Sequence, residues 1–280
     1  MKDARRRHRV ASSRRKRLGQ HFLVQGRAIE RVVQAISPAS GQRFLEVGPG
    51  RGALTLPLCE AGARIVAVEL DGALAQRLRE GEAAREALRV VQGDILKIDL
   101  DAILSETFPE RGPIRAVGNL PYSVASPALH RLLARPDLFR DWTLMVQKEV
   151  ADRILAAPGS RLFGVMTLLC AVRATSRRML DLAPSCFSPP PEVHSTLLHF
   201  MPRGGLLASE AEMGAFRSVV KAAFASRRKM LRNTLAASLR LEAEALEEVL
   251  RGVGLKGEDR PERISLEGYV ELSRRLASFL

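Results

Sequence analysis

The chain has 280 residues, a formal net charge of +13, 46% hydrophobic residues and three cysteines, enough for a full α/β domain with a smaller companion. Its positive charge sits in two blocks. Residues 1–17 carry nine Lys/Arg against Asp3 alone and residues 213–240 carry seven with no acid, whereas 241–280 has nine acids to six bases. Two such blocks are the footprint of a phosphate-backbone binder, the plainer alternative being a solvated basic surface. No apolar run approaches the roughly 20 residues a membrane span needs. The N-terminus lacks the apolar core of a secretory leader. Cys59, Cys170 and Cys186 show no paired spacing, which excludes a zinc knuckle or disulfide framework and suits a reducing cytosol.

Beyond the basic arm, Ile29, Val32, Val33 and Ile36 recur at helical spacing and predict a helix over Gly26–Ile36, stopped by Pro38. Strand-like runs are predicted at 43–47, 64–69, 89–91, 114–118 and 143–147, with helical patterns at 53–61 and 73–80. Alternating units with near-continuous apolar strands imply a parallel sheet covered on both faces, which binds ligands at the carboxyl ends of its strands. Leu162–Val172 reads as a buried helix. The proline-rich segment 187–193 cannot be helical and predicts a rigid loop before a final strand at 195–201. Gly204-Gly205 marks a linker. After it, Phe216, Val219, Val220, Ala223 and Phe224 define a basic amphipathic helix. The expected organisation is a basic arm (1–17), an α/β domain (18–203) and a small helical domain (206–280).

Gly48-Pro49-Gly50-Arg51-Gly52 follows the first apolar strand as a glycine turn that a nucleotide-like cofactor can approach closely. The pattern serves NAD, FAD and S-adenosylmethionine alike. Glu69, 21 positions after Gly48, closes the second strand and suits ribose hydroxyls. Asp94, after the third, suits an adenine amino group, with Ile95 against the ring. Either acid would serve equally as a helix cap. Asn119-Leu120-Pro121-Tyr122 is sharper. The Asn119 side-chain carbonyl and the backbone carbonyl of Leu120 or Pro121 can each accept one N–H of an exocyclic amine, aiming its lone pair at an electrophile. Tyr122 can stack on the base and Phe187, in the proline loop, offers a second face, although ordinary core packing would account for both aromatics.

These residues, with Gly19-Gln20-His21-Phe22-Leu23, Glu46-Val47-Gly48-Pro49-Gly50, Val68-Glu69-Leu70-Asp71, Gln147-Lys148-Glu149-Val150, Phe187-Ser188-Pro189-Pro190-Pro191 and Arg227-Arg228-Lys229, resemble the rRNA adenine N6,N6-dimethyltransferases of small-subunit ribosomal RNA. The resemblance runs from Leu18 to about Leu235. It implies a class I (Rossmann-like) S-adenosylmethionine-dependent methyltransferase sheet with a small C-terminal helical domain. It also implies dimethylation of two adjacent adenines in a hairpin loop near the RNA 3′ end. His21, Leu23, Gly48, Glu69, Asp94 and Asn119 match the family's cofactor positions, while Arg227, Arg228 and Lys229 would grip phosphates. Two positions depart: His21 and Ser123 stand where the family more often has asparagine. A monomer in the cytoplasm, acting on the pre-30S particle, is the expectation. The alternatives are a large-subunit rRNA methyltransferase of the macrolide-resistance type, a dinucleotide-dependent oxidoreductase and a non-catalytic assembly factor.

Overall fold

The computed structural model describes residues 20–81, 87–110, 112–121, 124–205, 207 and 209–280. The basic arm, Leu18, Gly19, Tyr122 and Ser123 lie outside the described residues. The chain first alternates Phe22–Leu23 (β1), Gly26–Ile36 (α1), Arg43–Val47 (β2), Thr55–Glu60 (α2), Arg64–Glu69 (β3), Gly72–Glu80 (α3), Leu88–Gln92 (β4), Leu100–Thr107 (α4), Ile114–Asn119 (β5), Ala125–Leu133 (α5) and Phe139–Gln147 (β6). Lys148–Ile154 (α6), Val165–Ala171 (α7), Ala174–Leu182 (β7), Phe187–Ser188 (β8) and Ser195–Pro202 (β9) follow. Glu210–Ala223 (α8), Leu231–Leu239 (α9), Ala243–Gly252 (α10) and Leu266–Leu276 (α11) complete the helices.

A seven-stranded sheet runs β4-β3-β2-β5-β6-β9-β7. The first five strands are parallel, while β9 lies antiparallel to β6. The sheet is therefore mixed at one side rather than parallel throughout. From β2 the chain winds outward through β3 and β4, then returns to place β5 on the other side of β2. That reversal opens a crevice at the carboxyl ends of β2 and β5, where an open α/β sheet binds ligands. Gly118 lets the two strands close up, since a Cβ there would meet the Val47 carbonyl oxygen at 2.6 Å.

Contacts divide the chain into two compact units: residues up to Ala151 with Arg177–Met201, and Asp152–Ser176 with Pro202–Leu280. In the first, Val32, Ile36, Phe44, Leu58 and Ile65 are buried in one apolar core. In the second, Phe216, Val219 and Val220 of α8 meet Leu235, Leu250 and Tyr269 from the other helices. The exposed face of α8 carries Arg217 and Lys221.

At the amino ends of the strands, buried Arg115 joins three elements. Its Nε donates to both Asp141 oxygens (3.0 and 3.1 Å), and its other nitrogens donate to the carbonyls of Ile36 and Ser37 at the end of α1. Burial works against the Asp141 charge, but the His199 hydrogen bond and Arg115 outweigh it and hold the carboxyl below its ordinary 3.8. Their contribution is complete above that value and disappears as pH falls through the depressed one. Arg115→Met should destabilise the protein by about 3–5 kcal/mol in urea unfolding at pH 7, because it strands a buried carboxylate.

Candidate active site

Each strand end carries its ladder one residue further into the crevice. Gly48 N–H donates to Val68 O (2.9 Å), Gly93 N–H to Glu69 O (2.9 Å) and Leu120 N–H to Met145 O (3.2 Å). The next residues are thereby fixed. His21, Leu23, Gly48, Glu69, Asp94 and Asn119 all line a single cavity, together with Leu120 and Pro121. Gly48, Gly50 and Gly52 have φ of +68°, +58° and +85°. In the left-handed region a side chain is strained, and at Gly50 a Cβ would also strike the Phe22 ring at 2.9 Å. Arg51 lies over the same ring, 4.7 Å from its centroid.

Glu69 is buried, with both oxygens anchored: Oε2 accepts from Gly50 N (3.0 Å) and Oε1 from Asp71 N (2.9 Å). Burial raises its carboxyl above the ordinary value against those backbone donors. Asp94 lines the cavity while its Oδ1 accepts from Leu96 N at 2.9 Å, so the turn-capping role and the ligand-facing role coincide in one residue.

Asn119 is held from outside its own strand. Its Nδ2 donates to the His21 backbone carbonyl at 2.9 Å. A carbonyl only accepts, so the amide orientation is settled, and Oδ1 is the acceptor this side chain offers. His21 in turn donates from Nδ1 to the Pro189 carbonyl at 2.8 Å. β1 and β8 form an antiparallel ribbon, Phe22 opposite Ser188 and Leu23 opposite Phe187. The ribbon thus connects the N-terminal segment, the proline loop and the Asn119 amide. Sequence spacing gave no sign of this chain of contacts.

Two expected aromatic faces fare differently. Tyr122 lies outside the described residues. Phe187 is only 3% exposed and packs in the apolar core with Leu23, Leu182 and Leu197 rather than lining the cavity. In this conformation it offers no stacking face, and its burial instead secures β8 where it pairs with β1. Arg227, Arg228 and Lys229 belong to the second unit, in the exposed turn between α8 and α9. Arg227 lies over the Phe224 ring and donates to the Phe163 carbonyl at 2.7 Å.

Glu46 was not among the expected site residues. It lines the cavity, is 2% exposed, and its Oε2 has no hydrogen-bond partner among the described residues. Burial pushes its carboxyl up to about 7, Thr55 beside it pulls the other way, and the Glu69 charge adds to the rise. The available signal was a lone charge inside an apolar run, since buried carboxyls are rare without a partner. A glycine turn open to close approach, an anchored Glu69 and an orphaned Glu46 oxygen fit a nucleoside ligand that carries positive charge. Among the described residues, no group of three or more His, Cys, Asp or Glu is arranged to hold a metal ion. No helix of the described residues is long and apolar enough to cross a membrane.

Comparison with known proteins agrees with this chemistry. The family model "Ribosomal RNA adenine dimethylase" matches residues 11–277. A protein of Geobacter sulfurreducens named ribosomal RNA small subunit methyltransferase A is 38% identical over 265 residues, covering 94% of this chain and 95% of its own. One of the same name from Cupriavidus taiwanensis is 41% identical over 269 residues, covering 94% and 93%. Among solved structures, a dimethyladenosine transferase from Plasmodium falciparum superposes with a TM-score of 0.76 at 21% identity, over 92% of this chain and 98% of its own. The 23S rRNA methyltransferase ErmE gives 0.65 at 22% identity, over 91% and 99%, and like the former shares the fold. The chain belongs to the ribosomal RNA adenine dimethylase family.

Proposed function

We propose that this rRNA adenine dimethylase transfers methyl groups from S-adenosylmethionine to N6 of two adjacent adenines in a hairpin loop near the 3′ end of small-subunit ribosomal RNA. It acts as a cytoplasmic monomer on the pre-30S particle. The observation that carries the reading is the Asn119 amide, pinned through Nδ2 at the rim of a cavity that also holds Glu69 and the glycine turn. The relatives' shared name supports the small subunit over the large one.

When bound, S-adenosylmethionine supplies an electrophilic methyl group. The protein's share is orientation. Glu69 offers its remaining lone pairs to ribose hydroxyls, and Asp94 accepts from the donor's adenine amine. His21, just before β1, and Leu23 within it cover the cavity, while Gly48 lets the ligand reach the backbone. Asn119 Oδ1 takes one N–H of the target amine and a neighbouring backbone carbonyl takes the other. The Pro121 carbonyl already accepts from Val124 N at 3.0 Å, which favours the Leu120 carbonyl for this role. Two acceptors hold the amine with its lone pair outward. Tyr122 stacks on the target base, and Phe187 supports the ribbon from which Asn119 hangs. No strong base is required, because the amine becomes acidic once methylated and loses its proton to water.

The test is incubation of the purified chain with S-adenosylmethionine and small-subunit RNA lacking the modification, followed by nuclease digestion and mass spectrometry. Two adjacent N6,N6-dimethyladenosines are expected. Modification of large-subunit RNA alone overturns the assignment.

Arg227, Arg228 and Lys229, with the basic arm, grip phosphates. RNA affinity should fall steeply with salt. Replacing the three turn residues by serine should flatten the log–log salt slope by about 2, at roughly 0.7 per single-strand phosphate contact. Filter binding between 50 and 300 mM salt measures it, and an unchanged slope excludes the turn from the interface.

A further inference from the structure

Glu46 has no part in the mechanism above, yet it is a buried carboxyl that lines the same cavity. It sits in β2 opposite Ala67 of β3 and Val117 of β5, so protein encloses it on both strand edges. Its Oε2 lacks a protein partner among the described residues, and the cavity it lines already holds a second carboxylate, Glu69. An ionised pair in that enclosure, without a cation, is unfavourable, and a cationic ligand reverses the balance. On the functional reading above, the two ligands of this cavity differ in charge. The methyl donor carries a sulfonium, an ammonium and a carboxylate, for a net charge of +1. The demethylated product has lost the sulfonium charge and is neutral.

We propose that Glu46 is the proton-exchanging counter-charge of this cavity, giving up its proton to solvent when the cationic methyl donor enters and regaining one when neutral product remains, so that donor is selected over product by charge. The two ligands are otherwise alike but for one methyl, which little else in a cavity of this shape can tell apart. Low polarity around Glu46 lets it sense net ligand charge without touching the sulfur.

Other titratable groups face the same cavity, and comparison with Glu46→Gln separates their proton exchange from that of Glu46. On β3, Glu69 is anchored by two backbone donors. On α2, burial first, then Glu46 and Glu60, push the Cys59 thiol up to about 11, so it stays neutral near pH 7. His21, Arg51 and Asp94 line the same cavity from the residue before β1, the glycine turn and the loop after β4. Glu46 is set apart by an enclosed oxygen that has no partner among the described residues, and burial brings its carboxyl up to about 7.

The experiment is calorimetry of the full chain with S-adenosylmethionine and with S-adenosylhomocysteine, in buffers of different ionisation enthalpy at pH 7. A carboxyl titrating near 7 is about half protonated there, so the donor should release about half a proton and the product markedly less. Donor affinity should rise about fivefold from pH 6 to 7, as linkage to one such group requires. Glu46→Gln should abolish the release and reduce the donor-over-product preference about tenfold, the equivalent of one pKa unit. At pH 8 the variant should melt no lower than the parent, since a neutral isostere removes a buried charge. Proton release that persists in Glu46→Gln, or equal release with both ligands, overturns the proposal. A wild-type chain that binds neither ligand overturns the functional reading itself, whereas binding without proton release removes Glu46 alone.

Discussion

Asn119→Ala should reduce methyl transfer by about 10²-fold or more while leaving RNA affinity within a few-fold. The expectation follows from geometry. Asn119 contributes one acceptor at the rim, and its Nδ2 bond to the His21 carbonyl fixes where that acceptor sits. Alanine removes the acceptor and the tether together, so the amine loses its proposed alignment, whereas the turn proposed to bind phosphates, in the second unit, keeps its residues. Single-turnover kinetics at saturating RNA isolates the chemical step from binding. Asn119→Asp sharpens the reading, because it restores an acceptor but sets a second oxygen against the His21 carbonyl, and it should remain strongly impaired. Losses of RNA affinity as large as those of rate in Asn119→Ala would mean that this residue binds rather than aligns.

The second large effect is at Gly50. At φ +58° any side chain is strained, and a Cβ would lie 2.9 Å from the Phe22 ring. Gly50→Ala must therefore push β1 away or reshape the turn. Donor affinity should fall at least tenfold, with about 1–3 kcal/mol lost in urea unfolding. The Gly50 N–H also holds Glu69 Oε2, so a distorted turn releases the carboxylate proposed to take the ribose. Phe22→Ala offers a direct check: it makes room, and the double variant should recover part of the affinity. A Gly50→Ala protein that binds donor normally would show that the turn tolerates more than its backbone angles indicate.

Much of the sheet is readable from the chain because parallel strands buried on both faces are continuous apolar runs. Arg43–Val47 and Arg64–Glu69 emerge with the predicted limits, and α1 emerges as Gly26–Ile36 because its apolar stripe is complete and Pro38 follows. β6 begins four residues earlier than its apolar run, at Phe139, since Arg140 and Asp141 break the pattern and Asp141 is buried against both Arg115 and His199. β7 gives no strand signal, because it is an edge strand whose Thr175, Arg177 and Arg178 face outward. The site residues on strand ends were legible because the sheet delivers them there by register. Phe187 and Glu46 show the opposite case. Nothing local distinguishes a stacking aromatic from a packed one, or a strand-interrupting acid from one enclosed beside a ligand.

The hydrogen bonds that fix the Asn119 amide span great lengths of chain: 98 residues back to His21, and from His21 168 residues on to Pro189. During synthesis the ribosome must therefore release the chain through Pro189 before the amide acquires its bearing. A fragment ending before Pro189 contains the residues proposed to face the donor, yet lacks the brace that points Asn119. Competence thus arrives late and at once, when the proline loop locks onto the N-terminal segment, rather than growing gradually as the sheet is assembled.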